Sequence, residues 1–471
     1  MTTRLDLADI QGLVARGYSG LPHARFTLFA AGRPAAARTL LGLLLPQVTA
    51  AGPFTADTAM QVAFTAGGLR GLGLPDRVMD GFSLEFTEGM ATPNRSRFLG
   101  DEEESGPDGW AWGGPHGPAI DGLILVYASR ADRLDERQAE LSRQLARAGA
   151  RAVATLDTLE RLDREPFGFR DGISQPLIQG LPKAAGAQPP VAAGEFVLGY
   201  PNGYGQLTDR PLLPRAEDPG QLLPPDQAGS GAADLGRNGS YLVLRQLDQD
   251  VGGFWRYLTE ATRRPDGSDD LAARDLLAAK LVGRWPSGAP LVKAPDQDNP
   301  GLGQDNDFRY HDADPVGRAC PLGAHIRRAN PRDSLDPQPG TAASLKINSL
   351  HRLLRRGRSY GPAAGPEAGP AGLYFICLAA SLARQFEFVQ HSWLGDPNFN
   401  GLYDDTDPIT GYRHGRGATF TAPGRPVRRR YHGLPQFVRT RGGAYFFLPG
   451  LSALRYLAQL PGSDPSGPRM G

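Results

Sequence analysis

The first 160 residues alternate between short apolar runs and longer amphipathic stretches. "HARFTLFAAG" sets apolar and polar positions in turn, which predicts a half-buried strand from His23. "RPAAARTLLGLLLPQV" follows with Leu40, Leu41, Leu44 and Leu45 at helical spacing. "MQVAFTAGGLRGLGL" reads as a strand running into a helix start, and "IDGLILVYAS" as a strongly apolar strand. "RLDERQAELSRQLARAGARAVATL" is an amphipathic helix leading into another strand. Strand, helix, strand, strand, helix, strand is the order of a ferredoxin-like α+β fold, an antiparallel sheet packed with helices.

Periodicity fades from about Pro182 to Asn238, where "LPKAAGAQPPVAAG" and "LPPDQAGSGAADLG" carry little but Pro, Gly and Ala around one apolar segment, "GEFVLGY". "GSYLVLRQLDQDVGGFWRYL" then repeats the opening theme of strand, turn and helix, with Phe254 and Trp255 on the helix. "LHRLLRRGRSYG", "GLYFICLAASL" and "QFEFVQHSWL" supply further strand or helix segments. At 471 residues the chain exceeds one ordinary core. The reading is two ferredoxin-like domains, 1–195 and 238–462, with a Pro/Gly-rich connection at 196–237 and a tail at 463–471.

Charge narrows the partners. With 51 Lys+Arg against 50 Asp+Glu there is no general case for nucleic acid or an acidic membrane. The basic residues between Arg413 and Arg441, with Arg428, Arg429 and Arg430 consecutive, are a solvated surface segment or a local anion site. Cys320 and Cys377 exclude a Cys-rich zinc site, and no C-x-x-C-H offers covalent haem attachment. Free thiols fit a reducing compartment. The N-terminus lacks a secretory pattern, and "LLGLLLPQV" is too short to span a bilayer, so a soluble cytoplasmic protein is expected.

No H-E-x-x-H, G-x-S-x-G or phosphate-binding G-x-x-x-x-G-K-[ST] is present, which removes the familiar zinc hydrolases, esterases and nucleotide hydrolases. Two stretches remain. "PFGFRDGISQP", residues 166–176, sets Arg170 and Asp171 in a glycine turn between prolines. It is a polar surface turn, or it presses one carboxylate into a pocket. His325 in "CPLGAHIRRANPRD" stands between apolar Pro321 and Leu322 and the bases Arg327, Arg328 and Arg332. Such an imidazole is a structural histidine or a ligand.

"FGFRDGISQP", "CPLGAHIRRANPRD", "HRLLRRGRSYG" and "RQFEFVQHSW", in this order and at these separations, resemble the dye-decolourising peroxidases. So do the smaller pieces "DIQGLVARGY", "FLGD", "GEFVLGYPN" and "LVGRWPSGAPL"; the likeness covers nearly the whole chain and looks most like the longer bacterial members. It implies two ferredoxin-like domains and one non-covalent haem b, bound mainly by the C-terminal domain. By the same resemblance His325 is the proximal iron ligand, Asp171 lies on the peroxide side, and Gly172 and Arg327 border the haem. The distal arginine is Arg355, or Arg356 if the register slips by one. Glu387 matches the carboxylate that supports the proximal histidine; the bland reading is an exposed glutamate. Tyr360, Tyr374 and Trp393 are candidates for carrying oxidising equivalents to bulky dyes, with core packing as the alternative. Many relatives carry a histidine before the strand "PAIDGLILVYAS"; none stands there, and His116 is assigned no role.

These types suit the chemistry. One imidazole leaves the sixth iron position open, and a carboxylate on its other nitrogen makes it more electron-donating. An aspartate relays a proton between the peroxide oxygens, while an arginine stabilises charge without titrating. The expectation is a haem-dependent peroxidase that reduces hydrogen peroxide and oxidises dyes or phenolic compounds by one-electron steps. The rivals are a haem-handling protein with incidental peroxidase activity and a non-haem interaction protein; the Asp171–Arg355 pair favours the enzyme.

Overall fold

The computed structural model describes residues 4–160, 163–181, 188–335, 338–362, 370–413, 417–424 and 426–460. The tail expected from residue 463 and part of the Pro/Gly/Ala connection, residues 182–187, lie outside these. In the N-terminal half, β1 (His23–Ala30), α1 (Pro34–Leu44), β2 (Thr58–Phe64), β3 (Gly122–Ala128), α2 (Ala131–Ala148) and β4 (Arg151–Asp157) follow the order read from the sequence. They pair antiparallel as β4-β1-β3-β2, the ferredoxin-like arrangement. α1 stops at Leu44, one residue short of the predicted periodicity, because Pro46 cannot continue the helix.

The second half repeats the arrangement with longer insertions. It contains β5 (Ser240–Gln249), α3 (Val251–Ala261), α4 (Leu271–Val282), α5 (His325–Ala329), β6 (Leu354–Arg355), β7 (Arg358–Tyr360), β8 (Gly372–Ala379), β9 (Val438–Leu448) and α6 (Leu451–Ala458). The strand order is β9-β5-β8, with both β6 and β7 on the far side of β8. "QFEFVQHSWL" resolves as π-helical turns rather than a strand, over Ala383–Glu387 and Val389–Gly395. The two halves share a single sheet of nine strands among the described residues, joined where Phe64 of β2 lies opposite Phe447 of β9. Gln11 bridges this junction: its side chain exchanges hydrogen bonds with Val62 and donates to the Pro449 carbonyl at 2.9 Å.

Both faces of the sheet are covered, which explains why its strands are apolar rather than alternating. In β3, Ile124 and Val126 enter the core beneath α1, α2 and α6, while Leu123, Leu125 and Tyr127 enter the core on the opposite face. A third apolar cluster joins α3 and α4 to Phe167 and Phe169 of the Asp171 loop, with Phe167 and Phe254 ring centroids 4.5 Å apart. The loop is therefore fixed by two buried aromatic anchors on either side of Gly168. Among the described residues no helix is long and apolar enough to cross a membrane.

Candidate active site

A cavity of about 280 Å³ opens against the C-terminal half of the sheet, and it is mostly apolar, with Phe167, Phe169, Leu353, Phe375, Phe386 and Ile409 on its walls. Segments distant in sequence supply the polar groups: the 165–174 loop, α5, residues 352–357 and the 409–410 turn.

The Asp171 loop is held at both ends. Glu165 accepts from the N–H groups of Phe167 and Phe169 at 2.9 and 2.8 Å and from Gln249 at 2.7 Å. Burial pushes its carboxyl up to about 7, against the opposing effect of those hydrogen bonds. At the other end, Gln175 Oε1 accepts from the backbone of Arg355 at 3.1 Å. Gly168 and Gly172 adopt φ of +100° and +79°, and a Cβ at either would meet no atom within 4 Å. Backbone conformation, not crowding, thus requires glycine there. Asp171 Oδ1 receives the Gly172 N–H at 2.6 Å and faces the Arg355 guanidinium at 3.5 Å. Of the two readings of this turn, the structure supports a carboxylate turned into a cavity.

His325 begins α5 and lines the same cavity. Its Nδ1 lies 3.1 and 3.0 Å from Oδ1 and Oδ2 of Asp407, a fully buried carboxylate. Asp407 Oδ1 also accepts from the N–H groups of Ile409 and Thr410 and from the Thr410 hydroxyl. Burial would raise the Asp407 carboxyl, but the imidazole and these donors bring it down to about 2. Burial would likewise lower His325, and the Asp407 charge overrides it, so the imidazole lies above its ordinary value. Arg355 and Asp171 act electrostatically on His325, which places the two sequence motifs within reach of each other. With Nδ1 engaged, Nε2 is the ring nitrogen left for the cavity.

The cavity also holds guanidinium groups with no carboxylate partner among the described residues. Arg332, at φ of +55°, donates to the carbonyls of Asn306 and Phe308 at 3.1 and 2.9 Å. Arg352 donates to Gln188 at 3.2 Å, and burial beside Arg332 and Arg355 pushes it down to about 9. Guanidinium groups without an ion pair on the wall of an apolar cavity favour an anion there. A flat apolar macrocycle with two carboxylates, presented to one free imidazole nitrogen, meets all of these demands. The residues fit a haem.

Four expectations need correction or decision. Glu387 is not the carboxylate beside His325: its oxygens receive Tyr445 Oη at 2.7 Å and Arg95 Nη1 at 2.8 Å. The π-helical turn points its neighbour Phe386 into the cavity and Glu387 away. Nor does Arg327 line the cavity; it donates to Cys320 O and Asp314 O at 2.8 and 2.9 Å, because two residues along a helix is more than half a turn from His325. Between Arg355 and Arg356 the strand decides: Arg355 lines the cavity, and Arg356 emerges on the other face to bond Leu13 O and Val14 O at 2.7 and 2.9 Å. Tyr360, Tyr374 and Trp393 are 7%, 5% and 5% exposed, as core residues are. No sequence motif singles out Asp407. Its signal, an acid in "DDTDPITGY" whose backbone can turn back on its own side chain, lies 82 residues from His325 and carries no register. Arg328, between cavity-lining Ile326 and Ala329, faces away from the cavity and donates to Trp393 O at 2.6 Å and to the Asp405 carbonyl.

Fold and site together define a protein of two ferredoxin-like halves around an arginine-rich, single-imidazole cavity. No family model matches the chain. It is 31% identical to a dye-decolorizing peroxidase of Auricularia auricula-judae over 96% of this chain and 87% of that one. It is 33% identical to a multifunctional dye peroxidase of Amycolatopsis, with 74% and 73% of the two chains covered. Among solved structures, a dye-decolorizing peroxidase in complex with 2,6-dimethoxyphenol superposes with a TM-score of 0.77 at 26% identity, covering 96% of this chain and 100% of that one. The chain belongs to the dye-decolourising peroxidase family. It is a haem-binding enzyme that reduces hydrogen peroxide and oxidises dyes or phenolic compounds by one-electron steps.

Proposed function

We propose that His325 Nε2 holds the iron of one non-covalent haem b, that Arg332 and Arg352 receive its propionates, and that Asp171 and Arg355 handle the peroxide. The observation that carries this is the single cavity lined by His325, Asp171 and Arg355, with Asp407 behind the imidazole. Held there, a haem would supply the two-electron reaction with peroxide and the one-electron steps that follow it. Asp407 holds the proton on Nδ1 and so keeps Nε2 available as the ligand. At Asp171, Oδ1 is occupied by Gly172 N–H and Arg355, which leaves Oδ2 to take a proton from the peroxide. The same oxygen returns it to the outer peroxide oxygen as water leaves. The Arg355 guanidinium stabilises the negative charge that develops on that oxygen.

The lack of a C-x-x-C-H supports non-covalent haem, and two buried free thiols support a reducing cytoplasm. Domain limits near 195 and 238 are supported by one complete strand set on each side. Membership of the longer bacterial type rests on the Amycolatopsis relative beside the fungal one. Rapid mixing with peroxide tests the site: Asp171→Asn should form the first oxidised species about a hundredfold more slowly with haem retained. A wild-type rate in that variant removes Asp171 from the chemistry.

A further inference from the structure

Glu387 and Tyr445 form a buried pair that the chemistry above does not use. Tyr445 Oη donates to Glu387 Oε1 at 2.7 Å, and the two residues are 2% and 1% exposed. The other carboxylate oxygen accepts Arg95 Nη1 at 2.8 Å. Arg95 continues through Nε to Glu88 at 2.8 Å, and Glu88 is 40% exposed, so polar contacts run unbroken from the pair to solvent. On the other side lies the cavity: Phe386 is on its wall and stands edge-on to Tyr445, with centroids 6.1 Å apart at 76°. Arg245, also on the cavity wall, is a cation whose charge acts on the phenol.

We propose that Tyr445 is a redox residue of this peroxidase, giving one electron to the oxidised haem site while its phenolic proton passes to Glu387. This rests on the haem reading of the cavity. The O–H bond breaks, the proton bonds to Glu387 Oε1, and a neutral phenoxyl remains. The electron lowers the haem site by one oxidising equivalent. A one-electron donor of the established reaction, such as a phenol, later restores the electron, and the proton returns from Glu387.

The surroundings dictate that electron and proton move together. Burial, followed by the Glu387 charge, pushes the Tyr445 hydroxyl far above its ordinary value, so no phenolate forms beforehand. Loss of the electron alone would leave a cationic ring in an apolar core beside Arg245. Transfer across the existing hydrogen bond keeps the net charge of the pair unchanged. Burial also raises the Glu387 carboxyl, against the Tyr445 hydrogen bond and the Arg95 charge, which makes it a stronger base than an exposed glutamate. No dye can touch a ring this deep. The role that remains is a store for the second oxidising equivalent, because peroxide delivers two and a phenol withdraws one at a time.

The test is freeze-quench electron paramagnetic resonance of haem-loaded enzyme mixed with one equivalent of hydrogen peroxide, on protein grown with ring-deuterated tyrosine. Wild type should give a radical signal that narrows on deuteration and forms more slowly in D2O. Tyr445→Phe, which keeps the ring, should lose it at equal haem content. Glu387→Gln, which keeps an acceptor but takes no proton, should show slow and diminished formation. A signal undiminished in Tyr445→Phe, or one insensitive to deuteration in wild type, overturns the proposal. If the Phe variant loads no haem, the Glu387→Gln rate and the D2O comparison decide: wild-type kinetics in both overturn it. A wild-type protein that takes up no haem overturns instead the reading beneath it.

Discussion

Replacing Asp407 by Asn changes one oxygen for an NH2 group and deletes one charge. Oδ1 serves the N–H groups of Ile409 and Thr410 and the Thr410 hydroxyl besides lying 3.1 Å from Nδ1, whereas Oδ2 meets only His325, at 3.0 Å. The amide will therefore keep its oxygen at the crowded position and set its NH2 against Nδ1. Two donors then face each other at 3.0 Å, and the imidazole relieves this by moving its proton to Nε2, the nitrogen needed for iron. A hydrogen bond to a charged group contributes roughly 1.5–3 kcal/mol. Its loss corresponds to about 10- to 100-fold weaker haem binding, the usual effect of removing a carboxylate behind a metal-bound histidine. A less electron-donating imidazole should also raise the ferric/ferrous midpoint potential. Haem transfer to a scavenger protein measures the first quantity and spectroelectrochemical titration the second. Glu387→Gln is the control, and it should leave both at wild type because Glu387 bonds Tyr445 and Arg95 instead. Unchanged affinity and potential in Asp407→Asn, or a larger effect from Glu387→Gln, would refute the assignment.

His325→Ala should strip most of the haem and abolish the Soret band; normal haem content would move the ligand elsewhere. Arg355→Leu should slow peroxide reaction about a hundredfold or more while Arg356→Leu, on the opposite face, should not, as rapid mixing would show. Arg352→Leu should weaken haem binding about tenfold, through a lost propionate partner. The same change should raise the melting temperature of haem-free protein, because an unpaired buried cation is removed; a lower melting temperature would contradict that account. Glu165 has a folded value of about 7 against an ordinary 4.5. Between those values the native state binds the extra proton, so stability falls as pH rises from the lower to the higher, by at most roughly 3 kcal/mol. Urea unfolding of Glu165→Gln should lose that decline, and an unaltered slope would mean that Glu165 does not titrate there.

Much of the fold was legible because each strand carries its own period and each turn its own chemistry. β3 and α2 appear where "IDGLILVYAS" and "RLDERQAELSRQLARAGA" put them. Joining the halves into one sheet was not legible: the contact of Phe64 with Phe447 spans most of the chain, and neither residue signals its partner. At the site, His325, Asp171 and Arg355 emerged because their motifs are local. Asp407, Arg332 and Arg352 act through distant segments or through burial, which a linear pattern does not encode. Glu387 shows the hazard: its match to the carboxylate behind the proximal histidine says nothing about which face of a helix it takes.

The strand at the centre of the sheet, β9, is formed by residues 438–448, near the end of the chain. During synthesis β2 and β5 must both wait for it, each with an open row of backbone N–H and C=O groups. The nascent chain is therefore two unfinished sheets until residues 438–448 emerge, a stage at which edge-to-edge association is the main hazard. Damage to this strand would not trim the molecule at a margin; it would part the two halves along the seam where Gln11 stitches them.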